Sequence, residues 1–374
     1  MGKKLTNKVY VCVSNDLSSD QRVHKISTFI KNQNYEVHVI GRKLKNSLPI
    51  NREYNTKRIK LMFNKGPLFY ACLNIRLFFY LLTKRINILV SNDLDTLLSC
   101  YLISKIKRVK LIYDSHEYFT ETPELINRPM VKRIWLLIEE SIFPKLKYIY
   151  TVNQSIQEIY QKKYNKVIKV IRNVSPIWNP QNIKSKKELG LPEDKPILIL
   201  QGAGINIDRG AEELVESMIN LPQYFLLIIG SGDVFKHIKN IVKTNNLNNV
   251  LIIDRLPYLE MMNYTFHADL GISLDKKTNL NYLYSLPNKV FDYIQAGTPI
   301  LSSNVIEVSN IINKYSIGTL IEEVSVENIT KQLKMILENI DLLLLWKRNV
   351  EKVKLIENWE NEQKYLEEFY VKMQ

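Results

Sequence analysis

Short apolar runs alternate with longer amphipathic stretches throughout the chain. In the first half, the runs are rich in β-branched and aromatic residues, and stretches with helical spacing separate them, such as the one from about Asp20 to Lys31. Because this alternation is typical of parallel sheets covered by helices, it predicts an α/β fold. The predicted strands of this half are residues 9–13, 36–40, 88–90, 110–113 and 148–152.

The alternation stops at residues 173–180, where Pro176 and Pro180 lie among polar residues, and then begins again. Such segments are typical of connectors, so the pattern predicts a linker between two domains. A helix is expected from about Gly210, and the chain from about Ile340 onwards is charged and helical. The predicted strands of the second half are residues 197–200, 225–229, 250–253, 270–273 and 299–301.

These patterns predict two Rossmann-like domains that face each other across a cleft, with bounds of 1–173 and 174–345. The remaining segment, 346–374, is predicted to be a C-terminal helix that packs back towards the N-terminal domain. Ligands of open α/β sheets bind beside the carboxyl ends of the strands. Candidate chemistry is therefore sought in the residues that directly follow the predicted strands.

Charge is distributed unevenly along the 374 residues. Residues 1–173 hold 31 basic and 13 acidic residues, whereas residues 174–374 hold 21 basic and 25 acidic residues. The basic half is expected to meet an anionic partner, which by charge alone is nucleic acid, an anionic bilayer or an anionic substrate. The hydrophobic fraction of 45% excludes a disordered or collagen-like chain.

The cysteines and apolar stretches predict a cytoplasmic protein. Cys12, Cys72 and Cys100 form no Cys-x-x-Cys pair, so neither a disulfide scaffold nor a cysteine-rich zinc site is expected. The longest apolar stretch, 68–82, is interrupted by polar residues and is shorter than the about 20 residues that span a bilayer. No long apolar segment follows the basic N-terminus, so no signal peptide is expected.

Two glycine-containing loops follow predicted strands of the second half. Gly202 and Gly204 follow one strand, and Gly230 and Gly232 follow the next, each ahead of a predicted helix. Glycine lets a backbone approach a ligand closely, and a helix N-terminus attracts phosphate. Arg209 adds a candidate phosphate clamp. Neither loop completes a Gly-x-Gly-x-x-Gly pattern, so plain turns are an equal alternative.

Residues 285–299 contain a candidate nucleotide-binding helix. Pro287 suits the first turn of a helix, and Gly297 suits its end. Lys289 and Asp292 are then three residues apart, at neighbouring positions on the helix. The lysine could bind a phosphate and the aspartate the ribose hydroxyls. The alternative is an amphipathic helix whose charges are simply solvated.

This segment, Ser285-Leu-Pro-Asn-Lys-Val-Phe-Asp-Tyr-Ile-Gln-Ala-Gly-Thr-Pro299, resembles the donor-site motif of GT-B glycosyltransferases, most closely the retaining group usually called family 4. The resemblance covers about residues 9 to 320 and implies sugar transfer from a nucleoside-diphosphate sugar. Further segments resemble these enzymes in the same order along the chain: Asp20-Gln-Arg-Val23, Ser91-Asn-Asp93, Tyr113-Asp-Ser-His-Glu117, Thr151-Val-Asn153, Val170-Ile-Arg-Asn173, Gln201 to Gly210 and Gly230-Ser-Gly232.

The resemblance implies a role for each candidate. Arg209 and Lys289 would clamp the diphosphate in place of a metal ion, and His116 would lie near the reacting centre of the sugar. No metal and no cofactor other than the nucleotide sugar are expected. The implied donor-binding residues are Gly202, Gly204, Arg209, Gly230, Gly232, Ser285, Leu286, Pro287, Asn288, Lys289 and Asp292, and the implied acceptor-side residues are Asp20, Arg22 and Glu117.

The sequence also departs from the family pattern. The family often carries two glutamates eight positions apart, where this chain has Tyr284 and Asp292. The arginine that often follows the first strand of the C-terminal domain is replaced by Ala203. Asp93-Leu-Asp95 is formally the metal motif of the other major transferase fold, and metal binding there is the alternative.

Two segments, 65–85 and 130–147, are both basic and apolar, with aromatic residues that include Phe69, Phe79, Trp135 and Phe143. Basic amphipathic helices with aromatic residues suit an anionic membrane surface. The alternative is that the aromatic residues are core and the cations are solvated. Nucleic acid is not expected, because no recognition module is present.

The sequence therefore predicts a glycosyltransferase that acts on a saccharide or lipid-linked saccharide in cell-surface polysaccharide synthesis, in the cytoplasm or peripherally at the inner face of the membrane. Two alternatives stay open. A nucleotide-sugar 2-epimerase of the same fold would need no acceptor. A non-catalytic membrane-associated scaffold would bind no nucleotide, and the departures at Tyr284 and Ala203 favour it.

Overall fold

The computed structural model describes residues 7–18, 20–45, 47 and 49–373. Within these residues the chain forms two compact units. The first extends to Arg172 and includes the residues from Leu366, and the second is Asn173–Tyr365. Each unit is built on a parallel sheet whose strands are connected mainly by helices. The predicted two-domain α/β fold is confirmed.

The sheet of the first unit has the strand order β3-β2-β1-β4-β5-β6-β7 when its strands are numbered along the chain. Its strands are β1 (Lys8–Asp16), β2 (Glu36–Lys43), β3 (Asn55–Lys60), β4 (Ile88–Asn92), β5 (Lys110–Ser115), β6 (Tyr148–Thr151) and β7 (Lys169–Val170). Its helices are α1 (Gln21–Asn32), α2 (Gly66–Leu82), α3 (Leu94–Lys107), α4 (Pro123–Ile126), α5 (Pro129–Ile142) and α6 (Gln154–Tyr164).

The sheet of the second unit has the order β10-β9-β8-β11-β12-β13 in the same numbering. Its strands are β8 (Ile197–Gly202), β9 (Phe225–Gly230), β10 (Val250–Asp254), β11 (Leu270–Ser273), β12 (Ile300–Ser303) and β13 (Gly318–Ile321). The helices from here to the C-terminus are α7 (Ala211–Ser217), α8 (Phe235–Thr244), α9 (Tyr258–Phe266), α10 (Leu280–Leu283), α11 (Asn288–Ala296), α12 (Ile306–Tyr315), α13 (Val326–Leu337), α14 (Ile340–Lys354) and α15 (Trp359–Val371). In the part of the chain that the structure describes, no helix is long and apolar enough to cross a membrane.

Residues along β8 alternate between two apolar cores. Leu198 and Leu200 belong to one buried cluster, whereas Ile197 and Ile199 belong to another. Both faces of the strand are therefore covered, and a strand buried on both faces has a continuous apolar sequence rather than an alternating one. This is why the central strands were predictable as short apolar runs.

The structure contains three strands that the apolar pattern did not predict. β3 lies at an edge of its sheet and is largely polar, with Ile59 as its buried residue. β7 has only two residues, and β13 lies at the edge of the second sheet. Edge strands bury less surface than central ones, so their sequences carry a weaker apolar signal.

The C-terminal region also differs from the single helix predicted over 346–374. Two helices are present, and α14 begins at Ile340 because the side chain of Asn339 caps it by accepting the N–H of Leu342 at 3.0 Å. The chain from Leu366 onwards belongs to the first unit.

Tyr293 anchors helix α11 to the second sheet. Its hydroxyl lies 3.1 Å from the carbonyl oxygen of Ile199 and 3.0 Å from that of Ile272, and it accepts the N–H of Gln201 at 3.4 Å. The ring fits where Gly271 lacks a side chain, since a Cβ there would lie 2.5 Å from it. This buried side chain therefore helps to fix the position of α11 over β8 and β11.

We expect Tyr293→Phe to lower the free energy of unfolding by about 1–3 kcal/mol, because it leaves buried carbonyl groups without their partner. Urea denaturation measures the change. Tyr365→Phe is the matched control, since Tyr365 is 56% exposed, and its effect should stay within about 0.5 kcal/mol. Equal losses in the two variants would contradict the anchoring role of Tyr293.

Candidate active site

Each unit places polar residues at the carboxyl edge of its sheet. In the first unit, Asp20 follows β1, Asp93 follows β4 and His116 follows β5. In the second, Gly202 ends β8 and Asp275 follows β11. The strand order changes direction between β1 and β4 and between β8 and β11, and ligands of open α/β sheets bind at such switch points.

His116 is held between two carboxylates. Its Nδ1 lies 3.2 Å from Asp93 Oδ2 and its Nε2 lies 3.1 Å from Asp114 Oδ2, while its backbone N–H donates to Asp93 Oδ1 at 2.7 Å. Burial alone would lower the pKa of His116, but Asp93 and Asp114 raise it to about 9. Burial also raises the pKa of Asp93 well above its ordinary value, but the contacts of the ring with Asp93 and Asp114 favour its imidazolium form at neutral pH.

Arg22, which was predicted on the acceptor side, is a buried part of this cluster. Its guanidinium donates to both carboxylate oxygens of Asp114 at 2.7–3.2 Å and to the carbonyl of Ile171 at 2.8 Å. The residue is only 3% exposed. Burial would raise the pKa of Asp114, but Arg22 and His116 lower it. Arg22 thus positions Asp114, and through it His116.

The predicted acceptor-side carboxylates have different surroundings. Asp20 caps α1 by accepting the N–H of Val23 at 3.0 Å, which explains its presence without an acceptor. Glu117 lies near Asp95, where burial raises the pKa of Asp95 to about 7 and the charge of Glu117 acts in the same direction. Among the described residues, no three His, Cys, Asp or Glu side chains are grouped so that they could hold a metal ion.

The two glycine loops of the second unit pack on each other. Ile205 N–H donates to the carbonyl of Ser231 at 2.9 Å, and Ser231 N–H donates to that of Gly202 at 3.1 Å. A Cβ at Gly230 would lie 1.8 Å from the Gly202 oxygen, and one at Gly232 would lie 2.0 Å from the Ile205 oxygen. Close backbone contact between the loops is therefore sufficient to explain Gly230 and Gly232.

Gly202 and Gly204 differ, because a Cβ at either position would meet no atom closer than 3.9 Å. The φ of 154° at Gly202 is one that L side chains rarely adopt, so the backbone conformation accounts for that glycine. Packing does not explain the missing side chain of Gly204, and the space in front of both residues is open to a ligand. Ala203, at the position of the family's arginine, is exposed between the two glycines.

Asp275 organises the basic residues beside these loops. It is 1% exposed, and its carboxylate accepts two contacts of 3.0 and 3.2 Å from Arg209 Nη1 and one of 3.1 Å from Ser285 Oγ. Burial lowers the pKa of Lys289 to about 8, while Asp275 opposes this shift and Arg209 adds to it. Arg209 is thus paired with the buried Asp275, while Lys289 lies within its electrostatic influence, and the net positive charge of the three groups suits an anion.

The predicted donor helix forms as α11. Pro287 occupies its N-cap rather than its first turn, so the helix starts at Asn288, and Gly297 ends it in a left-handed conformation with φ of 80°. Asn288 is exposed, whereas Leu286 and Pro287 are half-buried. The backbone that leads into α11 therefore lies at the surface, next to Lys289.

Asp292 already has partners within the protein. Its Oδ1 accepts from Ser175 Oγ at 2.6 Å and from the Tyr258 hydroxyl at 3.2 Å, while its Oδ2 accepts from Gln201 Nε2 at 3.2 Å. The side chain is 8% exposed. These contacts fasten α11 to the linker, to α9 and to the end of β8. Ribose binding by Asp292 would be additional to this positioning role.

Sequence reasoning missed Asp275 and did not assign an orienting role to Asp93 or Asp114. Asp275 lies two residues after the end of β11, and Asp114 and Asp93 lie at the ends of β5 and β4. An acidic residue where an apolar strand ends is a signal that could have found all three. No sequence signal, however, shows that Asp275 pairs with Arg209, because 66 positions separate them.

Two families match the sequence. Residues 181–353 match the family described as Glycosyl transferases group 1, and residues 20–174 match Glycosyltransferase Family 4. The matched ranges meet at the linker and together cover most of the chain. No curated protein matches the sequence.

Solved structures with the same fold cover almost the whole chain. Sucrose-phosphate synthase from Thermosynechococcus elongatus is 16% identical with a TM-score of 0.79, over 98% of this chain and 99% of that one. HepE from Anabaena, in complex with UDP and glucose, is 12% identical with a TM-score of 0.75, over 98% and 100%. A putative UDP-N-acetylglucosamine 2-epimerase from Listeria monocytogenes is 11% identical with a TM-score of 0.61, over 92% and 91%.

The fold is that of the GT-B glycosyltransferases. The two family matches follow each other along the chain and support a group 1 glycosyltransferase, whose class of reaction is sugar transfer.

We expect Asp93→Asn to lower the pKa of His116 from about 9 towards its ordinary value of about 6.5, because the amide removes a negative charge but keeps the size of the side chain. NMR titration of the histidine ring measures it. Asp254→Asn, at an exposed carboxylate of the second unit, is the control and should leave the titration unchanged. An unaltered pKa in Asp93→Asn would show that Asp93 does not hold the imidazolium.

Proposed function

We propose that the protein transfers a hexosyl group from a nucleoside-diphosphate sugar to a saccharide or lipid-linked saccharide, with retention of anomeric configuration and without a metal ion. The proposed setting is cell-surface polysaccharide synthesis, in keeping with the family. The observation that carries the proposal is the pair of cations around Asp275, at the same sheet edge as Gly202 and Gly204, where a ligand can approach the backbone.

The cations would stabilise the charge that develops on the departing diphosphate. Arg209 is held by its ion pair with Asp275, and Lys289 lies buried near the same carboxylate, so positive charge is present at this sheet edge before a ligand binds. In other transferases a metal ion supplies this positive charge, and two fixed cations make that ion unnecessary. The backbone of residues 285–288 and the Asp292 carboxylate are proposed to complete the donor site.

The protonation state of His116 favours transfer with retention of anomeric configuration. An inverting transfer needs a general base for the acceptor hydroxyl, and a histidine held as an imidazolium by Asp93 and Asp114 does not supply one at neutral pH. We assign His116 a different role, as a charged hydrogen-bond donor near the transferred sugar. Asp20 and Glu117 are proposed to lie on the acceptor side.

UDP is the first nucleotide to test, because HepE binds UDP and UDP-glucose. Epimerisation of a nucleotide sugar is the alternative activity, because the putative 2-epimerase from Listeria monocytogenes has the same fold. Conversion of a nucleotide sugar into its epimer without an acceptor would identify an epimerase. Transfer that requires an acceptor would identify a transferase.

We expect one member of a panel of UDP, GDP, ADP, dTDP and CMP to raise the melting temperature by a few degrees, with and without EDTA. A ligand at 100 times its Kd stabilises the folded state by about 2.7 kcal/mol. Gly204→Val should abolish the shift but leave the melting temperature of the free protein unchanged, because the added atoms meet only open space.

Three results would contradict this donor site. Stabilisation that disappears in EDTA would show that a metal is required. An undiminished shift in Gly204→Val would place the nucleotide elsewhere. The absence of any shift would favour the non-catalytic scaffold.

The affinity for the diphosphate should also depend on pH. Because Lys289 must be protonated to bind phosphate and its pKa is about 8, the Kd should rise as the pH increases through 8, by up to about tenfold per pH unit. Calorimetric titration from pH 7 to 9 measures this, and Lys289→Gln should remove the dependence. Lys277→Gln, at a half-exposed lysine of the same unit, is the control and should keep it.

A further inference from the structure

Helices α2, α3 and α5 of the first unit pack side by side. Asn74 of α2 donates to the carbonyl of Asp95 at 2.7 Å and accepts the N–H of Ser99 at 3.2 Å, which joins α2 to α3. Tyr70 of α2 contacts Trp135 of α5 edge to face, with ring centroids 5.1 Å apart. The three helices therefore form one continuous layer.

Helix α2 is apolar on its outer side as well as its inner side. A helix that is apolar all round is typical of a protein core or a membrane, yet half of this surface is exposed. The inner side is formed by Phe69, Leu73, Leu77 and Leu81, which are at most 5% exposed. The outer side is formed by Leu68, Ile75, Phe79 and Leu82, which are 60%, 58%, 63% and 38% exposed.

The other two helices continue this surface, and we call their exposed apolar side chains and those of α2 the apolar face. Contiguous apolar surface of this kind is uncommon on soluble monomers and marks a contact with a partner or a membrane. Of the aromatic residues that the sequence suggested for membrane contact, Phe79 is exposed, whereas Phe69, Trp135 and Phe143 are buried. The further members of the face are Leu98, Leu102 and Ile106 on α3 and Met130, Ile134 and Leu137 on α5, which are 37% to 79% exposed.

The charges around the apolar face are almost all positive. Helix α2 contains no acidic residue, and the acidic residues Asp95 of α3 and Glu139 of α5 are buried. Glu140 of α5 is exposed and lies 3.5 Å from Lys163. A cavity of about 350 Å³ lies where α3 and α5 end, and among the described residues no Asp or Glu lines it. The cations that line it are Lys105, Arg108, Lys110, Lys145 and Lys147.

We propose that the apolar face docks the protein on an anionic lipid bilayer, with lipid phosphate groups bound by the cations at the ends of α3 and α5. Apolar side chains beside clustered cations, with few exposed acids, match the apolar interior and anionic headgroups of such a surface. A second copy of the chain would bring like charges together, so self-association through this face is disfavoured. Docking is independent of the chemistry proposed for the donor site.

Flotation of the full-length protein with lipid vesicles tests the proposal. We expect binding to vesicles of equimolar phosphatidylcholine and phosphatidylglycerol, and at least about tenfold weaker binding to phosphatidylcholine alone. The combined variant Ile75→Gln, Phe79→Gln and Leu102→Gln should bind the anionic vesicles at least about tenfold less than the natural protein. Lys105→Gln and Lys145→Gln should each weaken binding about fivefold.

The matched control is the combined variant Leu259→Gln, Met335→Gln and Leu355→Gln, which changes side chains of the second unit that are 55% to 71% exposed. It should bind the anionic vesicles like the natural protein. Unchanged melting temperature and unchanged nucleotide binding in the first combined variant would show that its fold and donor site are intact.

Equal binding to neutral and anionic vesicles, or full binding by the first combined variant, would overturn the proposal. Sedimentation supplies a further test. If the natural protein sediments as a dimer and the first combined variant as a monomer, the apolar face joins two copies of the chain instead.

Discussion

Burying a charge without a partner is costly, and this constraint organises both halves of the protein. In the first unit, the buried Asp114 binds Arg22 and His116 at the end of β5. In the second, the buried Asp275 binds Arg209 and lies near Lys289, just after β11. Each unit thus places basic groups beside a buried carboxylate at the carboxyl edge of its sheet, where ligands of open α/β sheets bind.

The backbone of the second unit is also arranged by close packing, in the loops after β8 and β9. Two glycines, Gly230 and Gly232, allow the loops after β8 and β9 to touch, since a Cβ at either would overlap a carbonyl oxygen. The packed loops then present Gly202 and Gly204 to open space. Gly230 and Gly232 therefore let the two loops pack together, whereas Gly202 and Gly204 lie where a ligand can approach the backbone.

The outer surface of the first unit follows a different principle. Most helices in the chain are apolar on one side, but α2 is apolar on both, and its outer side has no partner among the described residues. In the same layer, Glu140 is the exposed acidic residue, and it lies 3.5 Å from Lys163. Such a surface gains free energy when it meets an apolar and anionic environment, and the proposed membrane docking rests on this gain.

Local patterns in the sequence determined the α/β class, the central strands, the linker near residue 173 and the donor helix, because burial on both faces and turn chemistry leave direct signals in nearby residues. They did not reveal the edge strands, whose side chains are largely solvated. The family resemblance identified His116, Arg209 and Lys289 as candidates but could not assign their partners. Only the tertiary structure showed that Arg22 is buried and that Asp292 already binds Ser175, Tyr258 and Gln201. The physical reason is that ion pairs join residues far apart in the chain, and no local pattern records which two will meet.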